Sequence, residues 1–170
     1  MLLDTPVCDF GWQGPEFTLK DPSGQAFTMS EQLTEKGLLL MFICNHCPYV
    51  QRIAKQLAED TQQLIDEGIN VLAIMSNNYR DYPADSPQKM QAFAQQHGFA
   101  FPYLVDEEQS IGKQYGAVCT PDFFGFNGKG ELQYRGNSQE LLASMRLIAE
   151  TGKGPQKQTP SMGCSIKWQS

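Results

Sequence analysis

The sequence predicts an α/β domain built on a central mixed sheet flanked by helices, with a β-hairpin extension at its amino end. Three observations carry this expectation. The apolar runs Leu38–Ile43 and Ile69–Met75 bracket an amphipathic segment, Pro48–Glu67. Turn chemistry at Asp21-Pro22-Ser23-Gly24 separates two short alternating segments near the start. A second turn signal, Asn127-Gly128-Lys129-Gly130, separates two more near the end. Buried strands joined by a helical crossover run parallel, whereas hairpins add antiparallel strands, so the sheet is mixed.

Taken in order, Glu16–Lys20 and Gln25–Met29 alternate in polarity and form the opening hairpin. A short helix can start at Ser30. Leu38–Ile43 is apolar on both faces, as a central strand is. Val50, Ile53, Ala54, Leu57, Leu64 and Ile65 recur at helical spacing, and Gly68 supplies the stop. Ile69–Met75 is the parallel partner strand. Ser86 and Pro87 are suited to the cap and first position of a further helix that His97-Gly98 closes. A short strand near Phe101–Val105 and a short helix near Ser110–Tyr115 follow. Asp122–Phe126 and Glu131–Arg135 make the second hairpin, and Asn137 with Glu140 opens a last helix through about Glu150. Residues 1–151 are read as one domain and residues 152–170 as a tail without regular period that carries Cys164.

The 170 residues, 41% of them hydrophobic, suffice for one substantial core. A net charge of -6 without a cluster of Lys or Arg argues against nucleic acid as a partner. The longest apolar run, Leu38–Cys44, is far shorter than the roughly 20 residues that span a bilayer, so no membrane role is expected. The first residues show neither the basic start nor the apolar stretch of a signal peptide, and cytoplasm is the expected compartment. Five cysteines are too few and too scattered for a disulfide scaffold, which directs attention to reactive thiols.

Two of them form Cys44-Asn45-His46-Cys47, where the first apolar strand hands over to the long helix. Unpaired N–H groups and the positive end of the dipole at a helix start favour a thiolate over a thiol. On this reading Cys44, the earlier and more exposed sulfur, attacks a disulfide, and Cys47 in the first turn resolves the mixed disulfide. Pro48 is tolerated there because its missing N–H has no intrahelical partner. His46 between the cysteines is expected to stabilise the thiolate. The centre should then be more oxidising than thioredoxin, at about -270 mV.

A second rim is expected at Val118-Cys119-Thr120-Pro121, just before a strand that runs antiparallel to the central pair. A Thr-Pro bond is able to adopt the cis form there. If Thr120 faces the dithiol, Cys119 points to the other side and behaves as a small core residue, with a further redox role as the alternative. Cys164 in the tail is a candidate additional resolving or protecting thiol. Cys8 has no motif around it and reads as structural. Asn77 and Asn78 end the parallel strand beside the one bearing Cys44 and are candidate substrate contacts. His97 reads as a surface residue at a helix end.

These features together resemble the thioredoxin-like superfamily, in particular its branch with thiol-specific antioxidant and alkyl hydroperoxide reductase members. Phe42–Val50, with its Cys-Asn-His-Cys-Pro core, and Ser161–Trp168 are similar to signatures of a bacterial subgroup of that branch. The resemblance implies a thioredoxin-like fold. It also implies that Thr120-Pro121 is a cis-proline loop facing the dithiol, with the Thr120 backbone pairing to a substrate strand. Two positions depart from the pattern. Leu38 stands where thioredoxin has a buried acid, and neither Gly37 and Met41 before Cys44 nor Leu40 and Cys44 before Cys47 match the Pro and Thr of peroxiredoxins.

The expected activity is thiol-disulfide oxidoreduction on a disulfide-containing protein or a small thiol compound. No cofactor is needed, and a thioredoxin or glutathione system would serve as reductant. A thiol-dependent peroxidase is the alternative within the same chemistry. A metal-binding module using Cys44, His46, Cys47 and one of Cys119 or Cys164 is the alternative outside it.

Overall fold

The computed structural model describes Met1–Ser170. In chain order the elements are β1 (Leu2–Asp4), β2 (Thr18–Lys20), β3 (Ala26–Thr28), α1 (Met29–Gln32), β4 (Leu38–Phe42), α2 (Pro48–Asp66) and β5 (Asn70–Met75). After a 3-10 turn at Pro83–Asp85 come α3 (Pro87–His97), β6 (Tyr103–Val105), α4 (Ser110–Gln114), β7 (Cys119–Thr120), β8 (Asp122–Phe126), β9 (Leu132–Tyr134), α5 (Leu141–Thr151) and β10 (Met162–Ser165).

Seven strands form the main sheet in the order β3-β2-β6-β5-β4-β8-β9. β4 is its centre, parallel to β5 with Leu38 opposite Asn70 and antiparallel to β8 with Leu38 opposite Phe126. The α2 crossover dictates the first pairing and the short connections around β8 permit the second. The opening hairpin joins this sheet through Lys20 opposite Val105, so it forms an edge of the sheet.

The period of two along β4 divides the core. Leu39, Met41 and Ile43 belong to one cluster with Val50, Ala54, Leu57 and Leu64 of α2, Met90 and Phe93 of α3, and Met145 and Ile148 of α5. Leu38, Leu40 and Phe42 face the other cluster, with Phe17, Met29, Ile111, Tyr115 and Ile166. All five β4 residues have zero exposure, which is why the segment shows no polar alternation.

Helix ends follow local chemistry. The Ser86 hydroxyl accepts the Lys89 N–H, Pro87 occupies the first turn, and Gly98 closes α3 in the left-handed conformation that glycine adopts without a Cβ clash. The last helix starts later than expected, at Leu141. Asn137 does accept the Glu140 N–H through its side chain, but that bond closes a turn that precedes the helix.

The tail departs from expectation. Met162–Ser165 is a strand, and with β1 and β7 it makes a second sheet in the order β1-β10-β7. Strands this short, with partners over forty residues away in the chain, show no period of their own. Their hydrogen bonds come from the partner, and the sequence of β10, Met-Gly-Cys-Ser, has little β propensity.

Candidate active site

Cys44 leaves the carboxyl end of β4 and Cys47 is the N-cap of α2, so both sulfurs lie where the central strand meets the helix. The distribution of exposure differs from the expectation: Cys44 is 1% and Cys47 0% exposed, so neither thiol is the open one. The helix begins at Pro48, which gives the N-cap position to Cys47 and leaves Cys44 three residues outside it.

The neighbouring Cys44 thiol, more than any other group, draws the Cys47 pKa below that of an ordinary thiol, against the effect of burial. Only as a neutral thiol does Cys47 donate to the Thr120 carbonyl, 3.4 Å away. Cys44 moves the opposite way. Its hydrogen bond to Cys47 is made as the protonated donor, and burial and the Asp85 charge add to that, so its pKa is pushed well up despite the Thr120 hydroxyl at 3.4 Å.

Asp85, from the 3-10 turn before α3, is the site residue that sequence reasoning missed. Its Oδ1 accepts the N–H groups of Asn45 (2.7 Å) and His46 (3.3 Å), and its Oδ2 accepts Asn77 Nδ2 (2.9 Å) and the His46 ring Nδ1–H. The carboxylate is fully buried, and this donor set satisfies it. The only signal in the sequence was an acid beside a helix cap, Asp85-Ser86-Pro87, forty residues from the cysteines. It supplies next to Cys44 the buried acid that Leu38 does not.

His46 therefore has a different partner from the one expected. It gives its Nδ1–H to Asp85, and its ring stacks on Tyr82 with centroids 6.2 Å apart. Asn45 is held by Tyr103, whose hydroxyl donates to its Oδ1 at 2.8 Å. The liganding atoms of Cys44, His46 and Asp85 lie within 4.8 Å of one another. This is the group able to approach a cation, but Cys47 is outside it and the Asp85 oxygens already accept four N–H groups. The donor set anticipated for a metal module, with both cysteines of the motif, is not gathered around one point.

Thr120-Pro121 is a cis peptide bond, and Thr120 does face the dithiol through both its hydroxyl and its carbonyl. Cys119 is buried beside Asp122, its pKa pushed up to about 12 mainly by burial. Cys8 is likewise pushed up to about 11 by burial, so neither is a ready nucleophile. Cys164 is brought to the dithiol: it lies opposite Thr120 and packs against the cluster that holds Cys44 and Cys47.

Asn77 and Asn78, read as substrate contacts, are buried, and the chain itself engages both polar groups of the Asn77 side chain and the Asn78 side-chain nitrogen. Asn77 spans Asp85 and the Lys167 N–H (2.7 Å), and the Asn78 N–H donates to the Lys167 carbonyl (2.7 Å). They clamp the tail over the site. His97 is stacked against Phe99 away from the cysteines.

A pair of cysteines at a strand-to-helix junction with a cis-proline loop opposite, carried on a thioredoxin-like fold, is the arrangement of a thiol oxidoreductase. The chain belongs to the AhpC/TSA family, whose model matches residues 10–135. Among solved structures it is similar to an uncharacterized conserved protein from Geobacillus kaustophilus, with 34% identity, a TM-score of 0.93 and coverage of 99% of this chain and 97% of that one. The thiol-disulfide oxidoreductase ResA of Halalkalibacterium halodurans is 24% identical over 129 residues, 76% of this chain and 69% of that protein. The peroxiredoxin Bcp of Escherichia coli K12 is 24% identical over 111 residues, 65% of this chain and 66% of that protein.

Proposed function

We propose that the protein is a thiol-disulfide oxidoreductase whose redox-active pair is Cys44 and Cys47, with Cys47 as the attacking sulfur. The observation that carries the reading is the N-cap position of Cys47, where the positive end of the α2 dipole favours a sulfur anion. This exchanges the roles that the order of the two residues in the chain suggests.

In the reducing direction the Cys47 thiolate attacks one sulfur of a substrate disulfide. A Cys47 mixed disulfide forms as the substrate S–S bond breaks and the first substrate thiolate leaves. Cys44 then loses its proton and attacks Cys47 Sγ, which releases the second substrate thiolate and leaves a Cys44–Cys47 disulfide. Two electrons pass to the substrate. Asp85, beside Cys44 and tied to His46, is placed to take up the Cys44 proton. A thioredoxin or glutathione system restores the dithiol. The relative named ResA supports this class of reaction.

The test is turnover of oxidised glutathione or a disulfide-linked peptide with dithiothreitol as electron source. Cys47→Ser should abolish both multiple turnover and formation of the mixed disulfide, whereas Cys44→Ser should slow turnover while still forming the mixed disulfide. Persistence of turnover in Cys47→Ser removes the assignment.

The burial of both cysteines favours one second reading, a thiol peroxidase, because a peroxide needs less opening of the site to reach a buried sulfur than a disulfide does. The Cys47 thiolate would attack a peroxide oxygen, releasing water or an alcohol and forming a sulfenic acid. Cys44 would condense with it, losing water and giving the same disulfide. The relative named Bcp belongs to this class. Peroxide consumption lost in Cys47→Ser supports it, and no consumption above the rate of free thiol excludes it.

A further inference from the structure

Cys47 has two sulfur neighbours. Cys44 is the one that the sequence motif supplies, and Cys164 is supplied by β10, which lies antiparallel to β7 with Cys164 opposite Thr120. Thr120 contacts both Cys44 and Cys47, and Cys164, opposite it, packs against the core cluster that contains the two cysteines. Its position is fixed from both sides, because on the other edge of β10 Cys164 is opposite Leu2 of β1.

The approach of β10 is too close to be incidental. A Cβ on Gly163 would stand 1.7 Å from the Thr120 carbonyl oxygen, so only glycine lets the strand lie this near to the loop facing the dithiol. Side chains secure the strand on either side. The Ser161 hydroxyl donates to the Pro121 carbonyl at 2.8 Å, and Asn77 joins Lys167 to Asp85. Unlike Cys119, Cys164 is not part of the fully buried core, so packing alone does not account for a thiol there.

We infer that Cys164 is a third redox thiol, which exchanges the oxidised centre between a Cys44–Cys47 and a Cys47–Cys164 disulfide. The inference rests on the dithiol reading given above. In the oxidised protein the Cys164 sulfur, giving up its proton, attacks Cys47 Sγ. The Cys47–Cys164 bond forms as the Cys44–Cys47 bond breaks, and Cys44 leaves with the proton as a thiol. The exchange is neutral in electrons and needs no further oxidant. It fastens β10 to the start of α2 and returns Cys44 to the reduced state.

The test is disulfide mapping of the full chain. Wild type and Cys44→Ser are equilibrated with reduced and oxidised glutathione, quenched in acid, alkylated, digested and analysed by mass spectrometry. Wild type should yield both the Cys44–Cys47 and the Cys47–Cys164 peptide pairs, with Cys119 alkylated throughout. Cys44→Ser, checked for native circular dichroism, should yield Cys47–Cys164 as its main product. Gly163→Ala, which pushes β10 from Thr120, should lower the Cys47–Cys164 yield relative to Cys44–Cys47 by about tenfold through lost effective concentration. Only Cys44–Cys47 in wild type, with glutathione on Cys47 and a free Cys164 in Cys44→Ser, overturns the inference while leaving the dithiol reading intact. If neither intramolecular pair forms, both fall.

Discussion

Asp85→Asn changes one atom and tests whether the carboxylate organises the site. Its two oxygens accept four N–H groups, two on each. With the amide nitrogen of Asn at the Oδ2 position, Asn77 Nδ2 and the His46 Nδ1–H both meet a donor. Reversing the amide moves the conflict to the backbone N–H groups of Asn45 and His46. Flipping Asn77 instead removes the acceptor of the Lys167 N–H. No arrangement retains all the bonds, and at least two donors lose a charged acceptor at a residue with zero exposure. At about 1.5–3 kcal/mol for a hydrogen bond to a charged group, partly offset by no longer burying the charge, the net loss should be about 3 kcal/mol. Urea unfolding followed by circular dichroism reads this directly. The midpoint should fall with the slope unchanged. A loss under about 1 kcal/mol would show that the carboxylate is not the hub, since surface-like substitutions lie within about 0.5 kcal/mol.

Further outcomes follow from the same structure. Arg135 donates to both oxygens of Asp122 from Nε and Nη2 at 3.1 and 2.8 Å, with its guanidinium over Phe124. Asp122→Ala leaves that cation buried and unpaired and should lower stability by about 3–5 kcal/mol in urea unfolding. Ser86→Ala removes the cap of α3 and should lower stability by about 1 kcal/mol in the same assay. Cys119→Ala should retain wild-type turnover of oxidised glutathione with dithiothreitol, because its thiol is held protonated by burial on the far side of β7 from the dithiol.

Much of the framework was legible because its causes are local. The β4 and β5 runs are apolar on both faces because the strands are buried on both faces, and α2 shows the helical period because one side of it covers the sheet. The two cysteines, Thr120 and Pro121 were found by the same local signals of spacing and turn chemistry. What was not legible depends on contacts between distant segments. Asp85 is an ordinary acid in a turn until the fold sets it beneath Asn45 and His46. Asn77 and Asn78 have the chemistry of substrate contacts, yet both are buried, with the Asn77 side-chain oxygen and the Asn78 backbone N–H bonded to Lys167 of the tail. The start of α2 was legible as well. Pro48 marks that start: it sits at the first helical position, where its missing N–H costs nothing, and so leaves Cys47 as the N-cap.

The thiolate on Cys47 is most directly tested by titrating the thiolate absorbance near 240 nm in wild type against Cys47→Ser. On the proposed assignment the Cys47 pKa is lowered by its neighbours, so the anion should be present at neutral pH and lost only on acidification. The difference signal should hold from pH 8 down to about pH 5 and fall toward a midpoint of about 4. A difference signal that disappears between about pH 9.5 and 7.5, as for a free cysteine with a pKa near 8.5, would contradict the assignment of Cys47 as the nucleophile.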